Sequence, residues 1–352
     1  MKALSTGRIV ALLLGIGSVV WSSGQALGQR VRKDSRSLTV QEQQDFLDAC
    51  FALKARAFTG GVMTANPSWD DFVAVHAEAF HDPMQPGDIT YPAHGGPSFL
   101  AWHRAFLLRM EEELREIKPN VTIPYWDWTN CAGDPDCFPD FLGGTGVAPA
   151  PFISVTWPVR YRDSEVPLAI PEALSRALQP VANLPKTSDV NAVLNVLNFD
   201  SPGWNISSTN SFRNRLEGWS PYGLHNKVHN WVGGSMISST SPNDPIFFLH
   251  HANIDRIWCQ WQETNPLAYH HLPDGAFNPA NDPSFVPAIF GMAPEGHNVF
   301  DPMEPFGGMQ PGNRPFDMLN VAALGYEYDD TVGPCHFADG LTASQYQILH
   351  DV

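Results

Sequence analysis

Two short stretches of this chain gather imidazoles at spacings that suit a metal ion. In GLHNKVHNWVGG (223–234), His225 and His229 stand four residues apart. On a helix they share a face and can reach one ion. In SPNDPIFFLHHANIDRIW (241–258), His250 and His251 follow, and either could complete a set of three from the start of a neighbouring helix. An earlier group has the same make-up. His76 falls toward the end of one helical stretch, with His81 as its rival; His94 lies in the loop YPAHGGPSF, and His103 near the start of another helix. No Glu follows His225, so the H-E-x-x-H pattern of zinc proteases is absent. A single His pair at this spacing is commonly an ordinary surface or core feature. Two all-histidine groups among thirteen histidines are harder to dismiss.

The ligand type narrows the metal. Calcium and magnesium take oxygen ligands, and no carboxylate-rich loop accompanies these histidines. Non-haem iron sites usually include a carboxylate, whereas imidazole suits zinc and copper. One group of three would allow a hydrolytic zinc site. Two groups facing each other imply a dinuclear centre. Six neutral ligands leave the charge of two cupric ions uncompensated and also tolerate the cuprous state, a combination that favours dioxygen chemistry.

Helices must position these groups. LTVQEQQDFLDACFALKARAF (38–58) has apolar residues at helical spacing, with Thr39 as N-cap and Glu42 three residues on, a capping-box pattern. PSWDDFVAVHAEAF (67–80) repeats the device with Ser68 and Asp71, and 99–117 reads as a long amphipathic helix ending before Pro119. YGLHNKVHNWV and HHANIDRIWCQWQET read as two more. Strand signals are weak and short, and Pro/Gly-rich segments cover 130–160, 200–223 and 272–316. The expected fold is mainly α: a four-helix-bundle core that holds the metal site between facing helices, wrapped by long irregular loops with few short strands.

The formal charge of −16 argues against nucleic acid as a partner, because no basic patch stands out. Lys2 and Arg8 precede an apolar run from Ile9 to Val20, and small residues follow at 26–28. This reads as a secretory signal, with residues 29–352 as one catalytic domain that is secreted or periplasmic and free of the membrane once cleaved. Loss of the two cations takes the charge from −16 to −18. Export permits disulfides. Cys131 and Cys137 flank a Gly/Asp/Pro turn and form the expected local pair. With five cysteines, at least one is left over. None forms C-x-x-C, so thiolate zinc is not expected.

HGGPSFLAWHRAFLLRMEEEL, IPYWDWT, RLEGWSPYGLHNKVHNWVGGSM and SPNDPIFFLHHANIDRIWCQW together resemble the tyrosinase family of type-3 dicopper proteins, in look nearest to its bacterial members. The likeness runs from about Arg32 to Tyr328. It implies that His76, His94 and His103 bind the first of two copper ions, and His225, His229 and His251 the second. His250 and His81 then become bystanders or outer partners, and the other five histidines, including His270 and His271, ordinary surface residues. Glu217 and Asn226 match a pair that holds a water to deprotonate an incoming phenol. Chemistry alone makes such a base sensible, since a phenol has a pKa of about 10. Phe247 matches an aromatic position beside the substrate and Asn230 one that tunes activity; plain core is the alternative for Phe247, and a helix-start surface carboxylate for Glu217. Asp255 and Asp244 are candidates to fix a ligating imidazole, or else helix caps. Trp126 and Trp128 are expected to pack near the copper shell. Arg32 with Tyr326 and Tyr328 resembles the Arg and Y-x-Y pair that close the domain by a cation–π contact.

Three departures matter. Pro92 stands where fungal and molluscan relatives have a thioether-linked Cys. The chain ends soon after Y-x-Y, so no covering domain is expected. Residues from about 157 to 210 match no motif. The resemblance implies a secreted oxidase that uses O2 to ortho-hydroxylate monophenols and oxidise o-diphenols to o-quinones. Its rivals are a catechol oxidase, an o-aminophenol oxidase and, more remotely, a haemocyanin-like O2 carrier. The sequons at Asn120 and Asn205 matter only in a glycosylating host, and a copper-delivery partner is not visible in the sequence.

Overall fold

In the computed structural model the described residues are 30–61, 63, 66–79, 93–131, 134, 137–162, 167–200, 206, 208, 210–218, 223–265, 303, 314–330 and 335. The signal segment, His81, Pro92, Asn205, His270 and His271 lie outside them. Four helices carry the histidines of interest other than His94, which lies in the loop before the second of them: α2 (Trp69–Glu78), α3 (Phe99–Ile117), α6 (Leu224–Val232) and α7 (Ile246–Thr264). Helix α1 (Val40–Lys54) packs outside α2 and α3, and α3 lies along α7. The expected four-helix core is present, and helix α7 starts four residues earlier than the sequence pattern placed it.

Local chemistry explains the helix starts. Both predicted capping boxes form: Thr39 with Glu42 opens α1, and Ser68 with Asp71 opens α2. Asp71 also accepts from the backbone N–H groups of Thr59 and Gly61, at 2.9 Å each. One carboxylate therefore starts α2 and pins the loop before it. The unmatched stretch contains α4 (Thr187–Leu194), while α5 (Phe212–Glu217) follows it and leads into the second histidine group.

Strands are few and short. β2 (Gly146–Val147) pairs with β5 (Ser175–Arg176), and β3 (Pro158–Val159) with β4 (Glu172–Ala173), both antiparallel. β1 (Arg30–Arg32) pairs in parallel with β6 (Tyr326–Tyr328), which follows the short helix α8 (Val321–Leu324). The two ends of the described chain thus meet. Arg32 aligns with Tyr328, and its guanidinium lies 3.9 Å from the centre of the Tyr326 ring and 6.0 Å from that of Tyr328. The expected cation–π closure is present. Disulfides join Cys131 to Cys137, as expected, and Cys259 to Cys335, while Cys50 is the buried free thiol. Among the described residues no helix is long and apolar enough to cross a membrane.

Candidate metal centre

The first group draws one imidazole from the last turn of α2, one from the following loop and one from the second turn of α3. His76, His94 and His103 are all buried, and one ligand atom from each lies within 4.8 Å of the others. Backbone carbonyls set two of the tautomers. His76 Nδ1–H donates to Ser239 O at 2.5 Å, and His103 Nδ1–H to Phe99 O at 2.8 Å. Each bond leaves Nε2 as the lone-pair nitrogen. His103 Nε2 is buried without a hydrogen-bond partner.

The second group follows the same rule. His229 Nδ1–H donates to Met236 O at 2.7 Å. His225 Nδ1–H is shared between Glu217 O at 3.1 Å and Asn226 Oδ1 at 2.9 Å. Both rings therefore turn Nε2 lone pairs inward. His251 Nε2 lies 3.1 Å from His225 Nε2 and 3.4 Å from His229 Nε2, and its own Nδ1 is buried without a partner. The His103 and His251 rings stack across the two groups with centroids 4.3 Å apart, so the groups face each other.

By distance alone, His250 also falls within 4.8 Å of His225 and His229. Its bonding sets it apart from His251. His250 Nδ1 accepts from the Trp128 indole at 3.1 Å, and its Nε2–H donates to His225 O at 3.2 Å. No lone pair remains on its ring for a metal, which is the bystander role expected of it. Trp128 packs against the site through this bond, whereas Trp126 donates to Cys137 O, 2.9 Å away.

His251 Nε2 thus lies 3.1 and 3.4 Å from two nitrogens that each present a lone pair, and at most one of those lone pairs can be met by a proton on His251, which leaves room for a cation among the three. Burial disfavours a proton in that role. It is the main cause that lowers His76 to about 3 and His229 to about 4, and it holds the other imidazoles well below their ordinary value. A metal ion fits instead. Metal–imidazole bonds of about 2.0–2.1 Å in tetrahedral array put nitrogens about 3.3 Å apart. The donor set is all imidazole, which suits copper or zinc.

The remaining predicted residues fall as follows. Phe247 is fully buried, with its ring centre 4.0 Å from that of His251 and 4.9 Å from that of His76, so it lies against both groups. Asn226 is half-buried at the His225 ring, and Asn230 is exposed between half-buried His229 and buried Trp231. Glu217 ends α5 and is fully buried, which removes the surface-carboxylate alternative. Its Oε1 accepts from Gly95 N–H at 2.5 Å and its Oε2 from Arg213 at 2.8 Å.

Asp244 and Asp255 bond to no imidazole. Asp244 takes a bidentate pair from Arg176, 2.7 Å on each arm, and also accepts from Ile246 N–H, the first of α7, although the cap position itself is Pro245. Asp255 is shared by Arg104, Arg32, Tyr326 and Tyr328. Carbonyls do the work expected of these carboxylates, and backbone partners leave no mark in a sequence. The Arg213–Glu217 contact did leave one: an i, i+4 opposite-charge pair.

Fold and site together define a helical-bundle protein with a dinuclear, all-imidazole metal centre. A family model described as the common central domain of tyrosinase matches residues 66–264. The chain is 40% identical over 257 residues to a tyrosinase of Streptomyces antibioticus, covering 70% of this chain and 87% of that one. Its fold is similar to a tyrosinase from Burkholderia thailandensis (TM-score 0.54, 19% identity, 92% of this chain and 77% of that one). It is similar also to a functional unit of octopus hemocyanin (TM-score 0.51, 22% identity, 92% and 72%). At those identities the two structures establish the shared fold alone. The chain belongs to the tyrosinase family of two-copper oxidoreductases.

Proposed function

We propose that this protein oxidises phenols with O2, adding an ortho hydroxyl to monophenols and converting o-diphenols to o-quinones. His76, His94 and His103 would hold one copper; His225, His229 and His251 the other. The observation that carries this assignment is the set of tautomers. Carbonyls occupy Nδ1 of His76, His103, His225 and His229, so that Nε2 of each is the donor left for a metal. Two bound coppers supply the binding and two-electron reduction of O2. The protein's part is to orient the phenol and take its proton. Phe247 offers a ring that bridges the two groups, and Asn230 stands at the outer end of α6 as a tuning position. Glu217, through its backbone carbonyl, and Asn226, through its amide oxygen, both accept from His225 Nδ1–H, while the Glu217 carboxylate reaches Gly95, next to His94, so the acid and the amide sit at the same edge of the centre. A water held there would pass the phenol proton to the Glu217 carboxylate.

One observation favours a second reading, oxidation of o-diphenols or o-aminophenols without hydroxylation. Both Glu217 oxygens already accept protein hydrogen bonds, from Gly95 N–H and Arg213, so the carboxylate is engaged within the protein before any water or phenol arrives. The test is copper-loaded protein given a monophenol with a trace of o-diphenol, followed by oxygen uptake and quinone absorbance. Glu217→Gln is expected to lower monophenol turnover about 100-fold or more while diphenol oxidation persists. Diphenol turnover without monophenol turnover in the wild type selects the second reading. Reversible O2 binding without turnover of either makes the protein a carrier.

Residues 1–28 are proposed to direct export and be removed, leaving 29–352 as one catalytic domain. Two disulfides support an oxidising destination.

A further inference from the structure

The carboxylate of Glu217 and its backbone carbonyl reach opposite halves of the metal centre. Oε1 accepts from the N–H of Gly95, the residue directly after His94, at 2.5 Å. The carbonyl of the same residue accepts from His225 Nδ1–H at 3.1 Å. One residue thus straps the loop of the first group to a ring of the second. Gly95 has φ +71°, and a Cβ there would press on Ile206 at 3.2 Å, so the loop reaches this carboxylate in a conformation few other residues would adopt. On the other side, Gly218 has φ +126°, and a Cβ there would collide with the Asn226 side chain at 2.6 Å. The backbone around the strap is closely fitted.

Arg213 holds the strap in place. It is fully buried one turn before Glu217 and donates through Nη1 to Glu217 Oε2 at 2.8 Å. Its Nε and Nη2 both reach Asp200 Oδ2, also at 2.8 Å. The guanidinium fork is anchored on Asp200 and aims one arm at Glu217. Two carboxylates and one guanidinium, all buried, fix the Glu217 rotamer far more firmly than a mobile surface pair could.

We propose that Arg213 is a positioning residue for the two-copper site: anchored by Asp200, it holds Glu217 where that residue ties the His94 loop to His225. This rests on the assignment of His94 and His225 to opposite coppers. The consequence is specific. When the fork is lost, the His94 loop loses its anchor at Gly95, whereas His225 keeps a backbone carbonyl. Copper in the His76, His94 and His103 group then becomes the labile one of the two.

The experiment uses the copper-loaded full chain challenged with a chelator, counting copper ions released against time well below each variant's melting temperature. Arg213→Lys keeps the charge and loses the fork. It is expected to release one of its two coppers about tenfold or more faster than wild type, the scale of outer-partner losses. Its kcat for a monophenol should fall while KM for an o-diphenol stays near wild type. Glu111→Gln, in a buried ion cluster elsewhere on α3, is the control for simple loss of stability and should release copper as wild type does. Release from Arg213→Lys at the wild-type rate, or release that merely tracks melting temperature across both variants, overturns the proposal. Should Arg213→Lys fail to fold, Asp200→Asn removes only the outer anchor. Faster loss of one copper there supports the proposal, and an unchanged rate overturns it. Wild-type protein that takes up fewer than two coppers overturns the ligand assignment instead, so the two failures are distinguishable.

Discussion

The histidine pocket and the Arg32–Asp255 cluster are both buried and polar, and they handle charge in opposite ways. In the cluster, Asp255 accepts from Arg104 at 2.5 Å, Arg32 at 3.3 Å, Tyr326 at 2.7 Å and Tyr328 at 2.6 Å. Glu111 takes the other face of Arg32 at 3.1 and 3.3 Å. Two carboxylates answer the buried guanidiniums of Arg32 and Arg104, with Arg30 joining Glu111 at 3.2 Å from the half-buried side, so each charge has an opposite charge within the chain. In the pocket, carbonyls bond the outward Nδ1 of His76, His103, His225 and His229, and no carboxylate answers the Nε2 lone pairs that these rings turn inward. The contrast separates a region that is finished by folding from one that is finished by a cation. The two meet on the same helices: Arg104 follows His103 directly, and Asp255 lies one turn past His251.

The largest expected effect comes from removing an inward lone pair. His103→Gln should bind one copper per chain and lose more than 100-fold in oxygen uptake, beyond the 10–100-fold usual for outer partners. Metal analysis beside the oxygen electrode checks this. Two coppers retained with normal turnover would remove the pocket's distinction.

Next is the charge balance of the cluster. Asp255→Leu takes from Arg104 its carboxylate partner and leaves Arg32 with Glu111, already shared with Arg30, which should cost about 3–5 kcal/mol. Denaturant melts of variant and wild type measure it. A loss below about 1 kcal/mol would mean that the cluster is not the self-contained unit described.

Acid titration should split the two regions by pH. In copper-free protein the buried imidazoles have pKa values below their unfolded value of about 6.5. The unfolded chain therefore binds more protons, and stability is lost as pH falls below about 6.5, toward the values of about 4 for His229 and about 3 for His76. Each such group contributes a slope of about 1.4 kcal/mol per pH unit. For Asp255, burial raises the pKa but Arg104 and Arg32 more than offset it, so the folded value is lowered. Its contribution is complete above about pH 4 and is lost only as pH falls further. Copper should raise the stability and carry the first slope to lower pH, because metal-held imidazoles stay unprotonated in the folded chain while the unfolded chain still takes up protons. It should leave the second slope unchanged, as read from melts at stepped pH with and without metal. Identical curves would contradict it.

The smallest expected change is Tyr328→Phe. It removes a hydroxyl that meets Asp255 at 2.6 Å and Ala252 O at 2.9 Å, while the ring near Arg32 stays. A loss of about 1–2 kcal/mol in a melt, with copper content unaltered, is expected.

Much of this was legible before folding is considered. Capping residues act on backbone three positions away, so Thr39 with Glu42 and Ser68 with Asp71 announce α1 and α2. His225 and His229 share a face by helical repeat alone. Asp244 and Asp255 show where such reading stops. Their position beside the histidines pointed to imidazole partners, but arginines distant in sequence claimed both, because a buried carboxylate gains more from a guanidinium than from a neutral ring.

The sequence by itself determined the donor chemistry: neutral imidazoles in two groups, local spacings on helices, and the capped starts of α2, which carries His76, and of its neighbour α1. These follow from side-chain type and a 3.6-residue repeat, which act over one or two turns. Only the tertiary structure decided what each donor meets. Neighbours on a helix point about 100° apart, and so His250 finds Trp128 and the His225 carbonyl while His251 faces the other rings. Which carbonyl fixes a tautomer, and which arginine holds Glu217, depend on contacts between segments far apart in the chain. No local rule encodes them, because they exist only once the helices have packed.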